Sequence, residues 1–359
     1  MKTSVLATLC MLALSLANTC THLIGQQPDG VESKQTSRIT RLVYELPVDA
    51  LQRTLQRDAS NTMESLLKQA VDAVAIRLST AVVTRLGAAS FSVDLATVRD
   101  EDIAMARQRI ESIGTLEMRM LARDDYAEAD LGLELERKRL EAWLDKGGRA
   151  KLQENLGAMD KYRPAAPSKI RWVPRKVRAD QGQWSYSLSQ LPATREATVR
   201  AFTDEQWNNQ RVPAAMLNDE DAFLVELIAI NLHETSFSHR DLQRDKIRLT
   251  VGQNGDPGVC YEFVEERRKA YAAWSHKHIR HSSAIIVDGE LLSAPIFVAK
   301  ITGPGMISGN FDLPQAEALV AALQSGALPA KPQLISQEVL PADQPTRAHK
   351  AASPSAQGK

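Results

Sequence analysis

Aromatic side chains are scarce, at 5% of 359 residues, cysteines number three, and the 44 Lys and Arg balance 44 Asp and Glu. Charge balance leaves no basic field for the phosphates of a nucleic acid, so no nucleic-acid partner is expected. With Cys10 inside an N-terminal apolar run, only Cys20 and Cys260 are left to pair, so a disulfide framework is excluded. Cys260, on an expected strand, reads as a small buried hydrophobe. Beyond the N-terminus no apolar run approaches the ~20 residues of a membrane span. The longest, Phe223 to Leu232, is interrupted by Glu226 and Asn231. A hydrophobic fraction of 43% with 25% charge is ordinary for a soluble globular chain, and the length suits two cores.

The first residues have the layout of a secretory signal: Lys2, an apolar run from Val5 to Leu16, then Ala17, Asn18 and Thr19. Ser15-Leu16-Ala17 predicts cleavage after Ala17, making 1–17 a signal peptide and 18–38 a flexible leader. An uncleaved anchor and lipidation at Cys20 are the alternatives, so membrane contact is expected only through the N-terminus. The protein is expected outside the cytoplasm, in the periplasm or cell envelope.

Along the chain the pattern predicts an α+β protein. A strand from Ile39 to Leu46 ends at Pro47, and apolar residues at three- and four-residue spacing predict a helix from Thr62 to Arg85, stopped near Gly87. Alternation predicts strands at Ser90–Val98 and Thr115–Leu121, flanking a helix over Glu101–Ser112. This order implies a split sheet with two helices on one face, a base domain over 39–125. A helical and irregular segment follows over 126–215, with strand-like pieces near Trp172 and Trp184 read as packing anchors.

A second domain over 216–336 contains strand candidates at Ile247–Val251 and Val259–Val264, separated by the turn Asn254-Gly255-Asp256-Pro257-Gly258, and a helix over Glu265–Ser275. Ala284–Val287, the turn Asp288-Gly289 and Leu291–Lys300 read as a hairpin, with Pro295 marking an edge or bulge. Met306–Phe311 reads as a strand and Leu313–Ser325 as a helix stopped by Gly326. From Gln337 the Ala, Pro, Ser, Gln and Lys content predicts a disordered tail over 337–359.

Motifs for catalysis are lacking. On a helix His276, His278 and His281 point apart, and on a strand His276 and His278 share a face that His281 does not, so they predict the exposed end of a helix rather than zinc. His233-Glu234 needs a histidine at 237 to form a zincin helix, and Phe237 stands there. Gly303, Gly305 and Gly309 precede no Lys-Ser or Lys-Thr pair, and Pro304 removes an amide that a phosphate loop would use. No catalytic residue, metal or cofactor is expected.

The run Ala284-Ile285-Ile286-Val287-Asp288-Gly289-Glu290-Leu291-Leu292-Ser293-Ala294-Pro295, with Ile301-Thr302-Gly303, Ile307-Ser308-Gly309-Asn310-Phe311, Ala316-Glu317-Ala318-Leu319 and Ser325-Gly326-Ala327-Leu328-Pro329-Ala330, resembles the head of the first periplasmic domain of SecD. SecD is an accessory subunit of the bacterial protein-export machinery. More loosely, Ala70-Val71-Asp72 to Gly87 and Phe91 to Met120 resemble that family's base domain. The resemblance implies a ferredoxin-like base, a SecD-type head and a binding role without catalysis, toward an exported polypeptide or a Sec-translocase or envelope protein. It does not extend to the family's transmembrane helices, which carry its proton-coupled movement. An edge strand beside an apolar hairpin could accept an extended chain, which points to Ile286, Leu292, Pro295, Ile296, Phe297 and Phe311 as polypeptide-binding residues. Asp288, Gly289, Gly303, Gly309, Gly326 and Pro329 are expected to shape the turns. The alternative reading is a structural or assembly module of the envelope with one fixed protein partner.

Overall fold

The computed structural model describes residues 38–122, 132–154, 159, 162, 164, 169–180, 183–184, 198–200, 223–252, 255–308 and 311–341. The expected signal peptide, the expected leader except Arg38, which opens the first strand, Cys20, Gly309 and the tail beyond 341 lie outside them, as does much of 126–215.

The base begins with β1 (Arg38–Glu45), α1 (Val48–Arg57), α2 (Met63–Arg77), β2 (Val82–Arg85), β3 (Ser90–Leu95) and α3 (Asp100–Glu111). Helix α2 starts where the Thr62 hydroxyl accepts from the Ser65 amide at 3.0 Å and the Ser65 hydroxyl accepts from the Thr62 amide at 2.8 Å, a reciprocal cap. It ends at Arg77, short of the expected Arg85. Val82, Val83 and Thr84 are β-branched and pair with β3 instead. Leu42 and Tyr44 of β1 and Phe91 and Val93 of β3 turn inward onto Leu66, Leu67, Ala70 and Val74 of α2 and Ile103 and Ile110 of α3.

Strand β4 (Leu116–Met120) leaves this sheet. The three-strand base expected from sequence is corrected here, because β4 pairs with the hairpin of the head. The vacant place is filled from the far end of the described chain by β15 (Gln333–Pro341), which runs antiparallel to β1. The sheet order is β15-β1-β3-β2, a split βαβ arrangement. The expected tail therefore starts no earlier than residue 342.

Between β4 and β15 lie α4 (Leu133–Trp143), α5 (Arg149–Glu154), β5 (Ile170–Asp180), β6 (Gln183–Trp184), β7 (Thr198–Arg200), β8 (Phe223–Asn231), β9 (Phe237–Ser238), β10 (Arg248–Val251), β11 (Pro257–Tyr261), α6 (Glu265–Lys277), β12 (Ser283–Val287), β13 (Glu290–Ser293), β14 (Gly305–Ser308) and α7 (Leu313–Ser325). They form three sheets, ordered β13-β12-β4-β9, β10-β11-β14 and β6-β5-β8-β7. Helix α7 takes the expected bounds because Asp312 and Gln315 make a reciprocal cap and Gly326 has φ 85°, a conformation that favours glycine. The protein is α+β throughout.

Two features join base to head. Arg77, 2% exposed at the end of α2, donates to the Ser325 hydroxyl at 2.8 Å and to the carbonyls of Arg109, Ile113 and Gly326, each at 3.1 Å, and of Ser112. At the hairpin tip, Asp288 accepts from the Ser112 hydroxyl at 2.8 Å, the Ile113 amide at 3.0 Å, and the Thr115 amide and hydroxyl at 2.8 and 3.1 Å.

Candidate functional site: a cleft beside the head hairpin

The hairpin turns on Asp288 at φ 51° and Gly289 at φ 86°, the positive pair that a tight two-residue turn requires. Both β12 faces are covered. Ile285 enters the head core with Met118, Phe237 and Trp274, whereas Ile286 packs with Leu121, Ile228 and Ile230 on the opposite side. Strand β13 stops at Ser293, well short of the expected Lys300. Pro295 has no amide to extend the ladder, and the chain continues as a strap over residues 294–301.

That strap is pinned where it touches β12 and α6. The Ser283 amide donates to the Pro295 carbonyl at 2.9 Å, Phe297 and His281 bond at 3.0 Å, and the Ile301 amide donates to the Ser275 hydroxyl at 3.0 Å. Alternation along it sends Phe297 into the core against Trp274, with ring centroids 5.1 Å apart, and turns Ile296 and Val298 to solvent. Val298 is 87% exposed.

Between the strap and β14 lies a cleft of about 170 Å³. Its floor is Met118, Ile285, Tyr261 and Tyr271, and its walls are Pro295 to Ala299, Ile301, Gly305 and Met306. Gly305 has a steric reason to be glycine, since a Cβ there would collide with the Tyr261 ring. The two phenol oxygens lie 3.1 Å apart. Burial raises the pKa of both, so both keep their protons. One hydroxyl donates to the other, and the second proton meets no further acceptor among the described residues. The cleft is apolar with a single buried donor at its base.

Of the residues expected to meet a polypeptide, Pro295 and Ile296 are exposed at the cleft mouth and Leu292 and Phe311 are half-buried. Ile286 is a core residue outside the cleft, which corrects its place in that set, and Phe297 is largely buried but lines the cleft wall. Val298, Met306 and the phenol pair were missed, the last because only the fold brings Tyr261 and Tyr271 together. Asp288, Gly289 and Gly326 occupy the turn and cap positions expected of them, Gly303 has open space around its Cα, and the Pro329 carbonyl accepts from Thr54 at 3.4 Å.

His276 lies exposed in the last turn of α6, as expected, and His281 is half-buried beyond it. His278 is buried under Trp274, with Nε2 3.5 Å from Glu234. Among the described residues no group of three or more His, Cys, Asp or Glu is placed to hold a metal ion. Nor is any helix among them long and apolar enough to cross a membrane.

Residues 233–330 match the family model described as SecDF, P1 head subdomain. The SecD subunit of the protein translocase of Rhodobacter capsulatus is 38% identical over 84 residues, 23% of this chain and 15% of that protein. That of Elusimicrobium minutum is 31% identical over 107 residues, 30% of this chain and 22% of that protein. The chain thus spans less than a quarter of the length of either relative. Two solved structures are also similar: SecDF in its super-membrane-facing form, at TM-score 0.46 and 17% identity over 85% of this chain and 30% of that one, and a SecDF described as a membrane component that enhances protein export, at 0.43 and 18% over 82% and 98%. Over residues 233–330, then, the chain is similar to the SecDF P1 head subdomain.

Proposed function

We propose that the protein is an extracytoplasmic accessory factor of protein export that holds extended or unfolded polypeptide at the head, in the cleft beside the hairpin, without catalysis. The carrying observation is the cleft itself: apolar walls, solvent-facing Ile296 and Val298 on the rim, and a buried phenol with a proton to spare. An extended chain offers the matching chemistry, apolar side chains for the walls and a backbone carbonyl for the phenol. The N-terminal apolar run supports placement outside the cytoplasm, and the relatives' naming as translocase subunits supports the Sec machinery as partner.

The test is binding of a reduced, alkylated polypeptide to the purified protein, followed by fluorescence anisotropy. Ile296→Asp with Val298→Asp removes two rim contacts, each worth about 1.5–3 kcal/mol if fully buried, and should weaken binding by ~10-fold or more without lowering Tm. Absence of binding by the unsubstituted protein, or equal binding by the double variant, overturns the reading.

A further inference from the structure

The cleft between the strap and β14 is sized and lined for one kind of guest. Its volume of about 170 Å³ is close to the ~150 Å³ at which an apolar cavity takes up benzene, so it holds a single six-membered ring. Three rings border it, those of Tyr261, Tyr271 and Phe297. Two methionines, Met118 and Met306, add thioethers, which are attracted to aromatic guests. Among the described residues no charged side chain lines it. The Tyr261 hydroxyl lies against Gly305, where a Cβ would collide with it, so the phenol pair borders the cleft and glycine keeps it uncovered. Two phenols bonded to each other use one proton and leave the second. A chain lying across the mouth offers that donor a backbone carbonyl. A side chain that fills the cleft shuts the floor off from backbone and solvent, and must carry the acceptor itself or leave a buried donor unsatisfied.

We propose that the cleft is a tyrosine-anchor site: one tyrosine of an extended polypeptide places its ring between the strap and β14, and its hydroxyl oxygen accepts the free proton of the Tyr261–Tyr271 pair. This inference rests on the polypeptide-holding role proposed above and names the side chain that the role selects. Leu, Ile, Val and Phe fill apolar space but bring no acceptor. Asn and Gln bring an acceptor together with two donors, which the apolar walls would strand. Asp and Glu would bury a charge with no cation in the lining. Trp is larger and sets a donor against a donor. The tyrosine hydroxyl both accepts and donates, and Ser283 brings a third hydroxyl to the lining for the guest's own proton.

The test uses Gly/Ser host peptides, alike except for one guest residue, Tyr, Phe, Leu or Trp, titrated into the full chain by fluorescence anisotropy. The Tyr guest should bind about 5-fold or more tighter than the Phe guest, which leaves the phenol proton unpaired, and the Leu and Trp guests should also fall below it. Tyr261→Phe with Tyr271→Phe deletes donor and acceptor together, a change that is nearly neutral for folding. In that variant the Phe guest should gain affinity and the preference for Tyr should disappear. The comparison of guests on the unsubstituted protein stands even if the variant is unstable. Equal binding of the Tyr, Phe and Leu guests, or a Tyr preference that survives the double variant, overturns the inference alone. So does failure of every guest peptide where reduced polypeptide binds, whereas failure of both overturns the polypeptide-holding role with it.

Discussion

Replacement of Arg77 by methionine should be among the most damaging single changes in the base. Its guanidinium serves five acceptors from the ends of α3 and α7 and the segment entering β4, so one side chain closes the joint between base and head. Methionine keeps the bulk and deletes every donor. Breaking a buried, fully hydrogen-bonded charge costs about 3–5 kcal/mol, since the orphaned carbonyls must be rehydrated or stay unsatisfied. For a protein of this size that corresponds to a fall in Tm of roughly 6–20 °C by circular dichroism. Arg77→Lys keeps the charge but loses the planar fork, so it should recover only part of the loss. Burial pulls the Arg77 pKa down to about 10, opposed by Asp288, and at neutral pH the group remains charged. A fall of less than ~2 °C for Arg77→Met, well below this range, would refute the view that these bonds hold the two parts together.

Three further outcomes follow from particular contacts. Asp288→Ala removes four bonds and places alanine at φ 51°, so it should destabilise by about 2–4 kcal/mol in urea melts; Asp288→Asn, which tolerates that backbone and keeps one oxygen, should cost less than half as much. Gly305→Ala forces the Tyr261 ring aside and should cost about 1–3 kcal/mol, while Gly303→Ala, with open space, should be near neutral by the same melts. Burial lowers the His278 imidazole pKa, with Glu234 opposing and Lys277 and His281 adding to the fall, and burial lowers His239 too. A depressed histidine contributes stability that is complete above about pH 6.5 and is lost as the pH drops toward its folded value. Tm should therefore decline between pH 7.5 and 5.5, and His278→Gln should flatten that slope; an unchanged slope would remove His278 from the account.

What the sequence revealed depended on how local the signal was. Helix α7 was legible because its signal is local, with Gly326 marking the stop; the Asp312 and Gln315 cap at its start, seen in the structure, is chemistry of the same local kind. The hairpin turn was legible for the same reason. Helix α1 went unread although Ala50, Leu51 and Leu55 turn one face to the core, because it is only ten residues long and follows Pro47 directly. The expected helix overran Arg77 because Val82 and Val83 prolong an apolar pattern that their β-branching contradicts. The destination of β4 was invisible, as alternation in Leu-Glu-Met-Arg-Met marks a half-buried strand without naming its neighbour. At the cleft, Ile286 and Phe297 look identical in sequence to surface candidates such as Ile296. Only the second sheet packed behind β12 and the aromatic core beneath the strap decide which side is wet.

The closing of the base sheet by β15 has a kinetic meaning. Strand β1 emerges first during synthesis and its partner only after the whole head, so the base is a high-contact-order assembly that must wait for nearly all the described chain. The head, bounded by local hairpins and caps, can form earlier and bring residue 333 back toward residue 45. Until then β1 is itself an open edge, and a chain interrupted anywhere within the head forfeits the base as well.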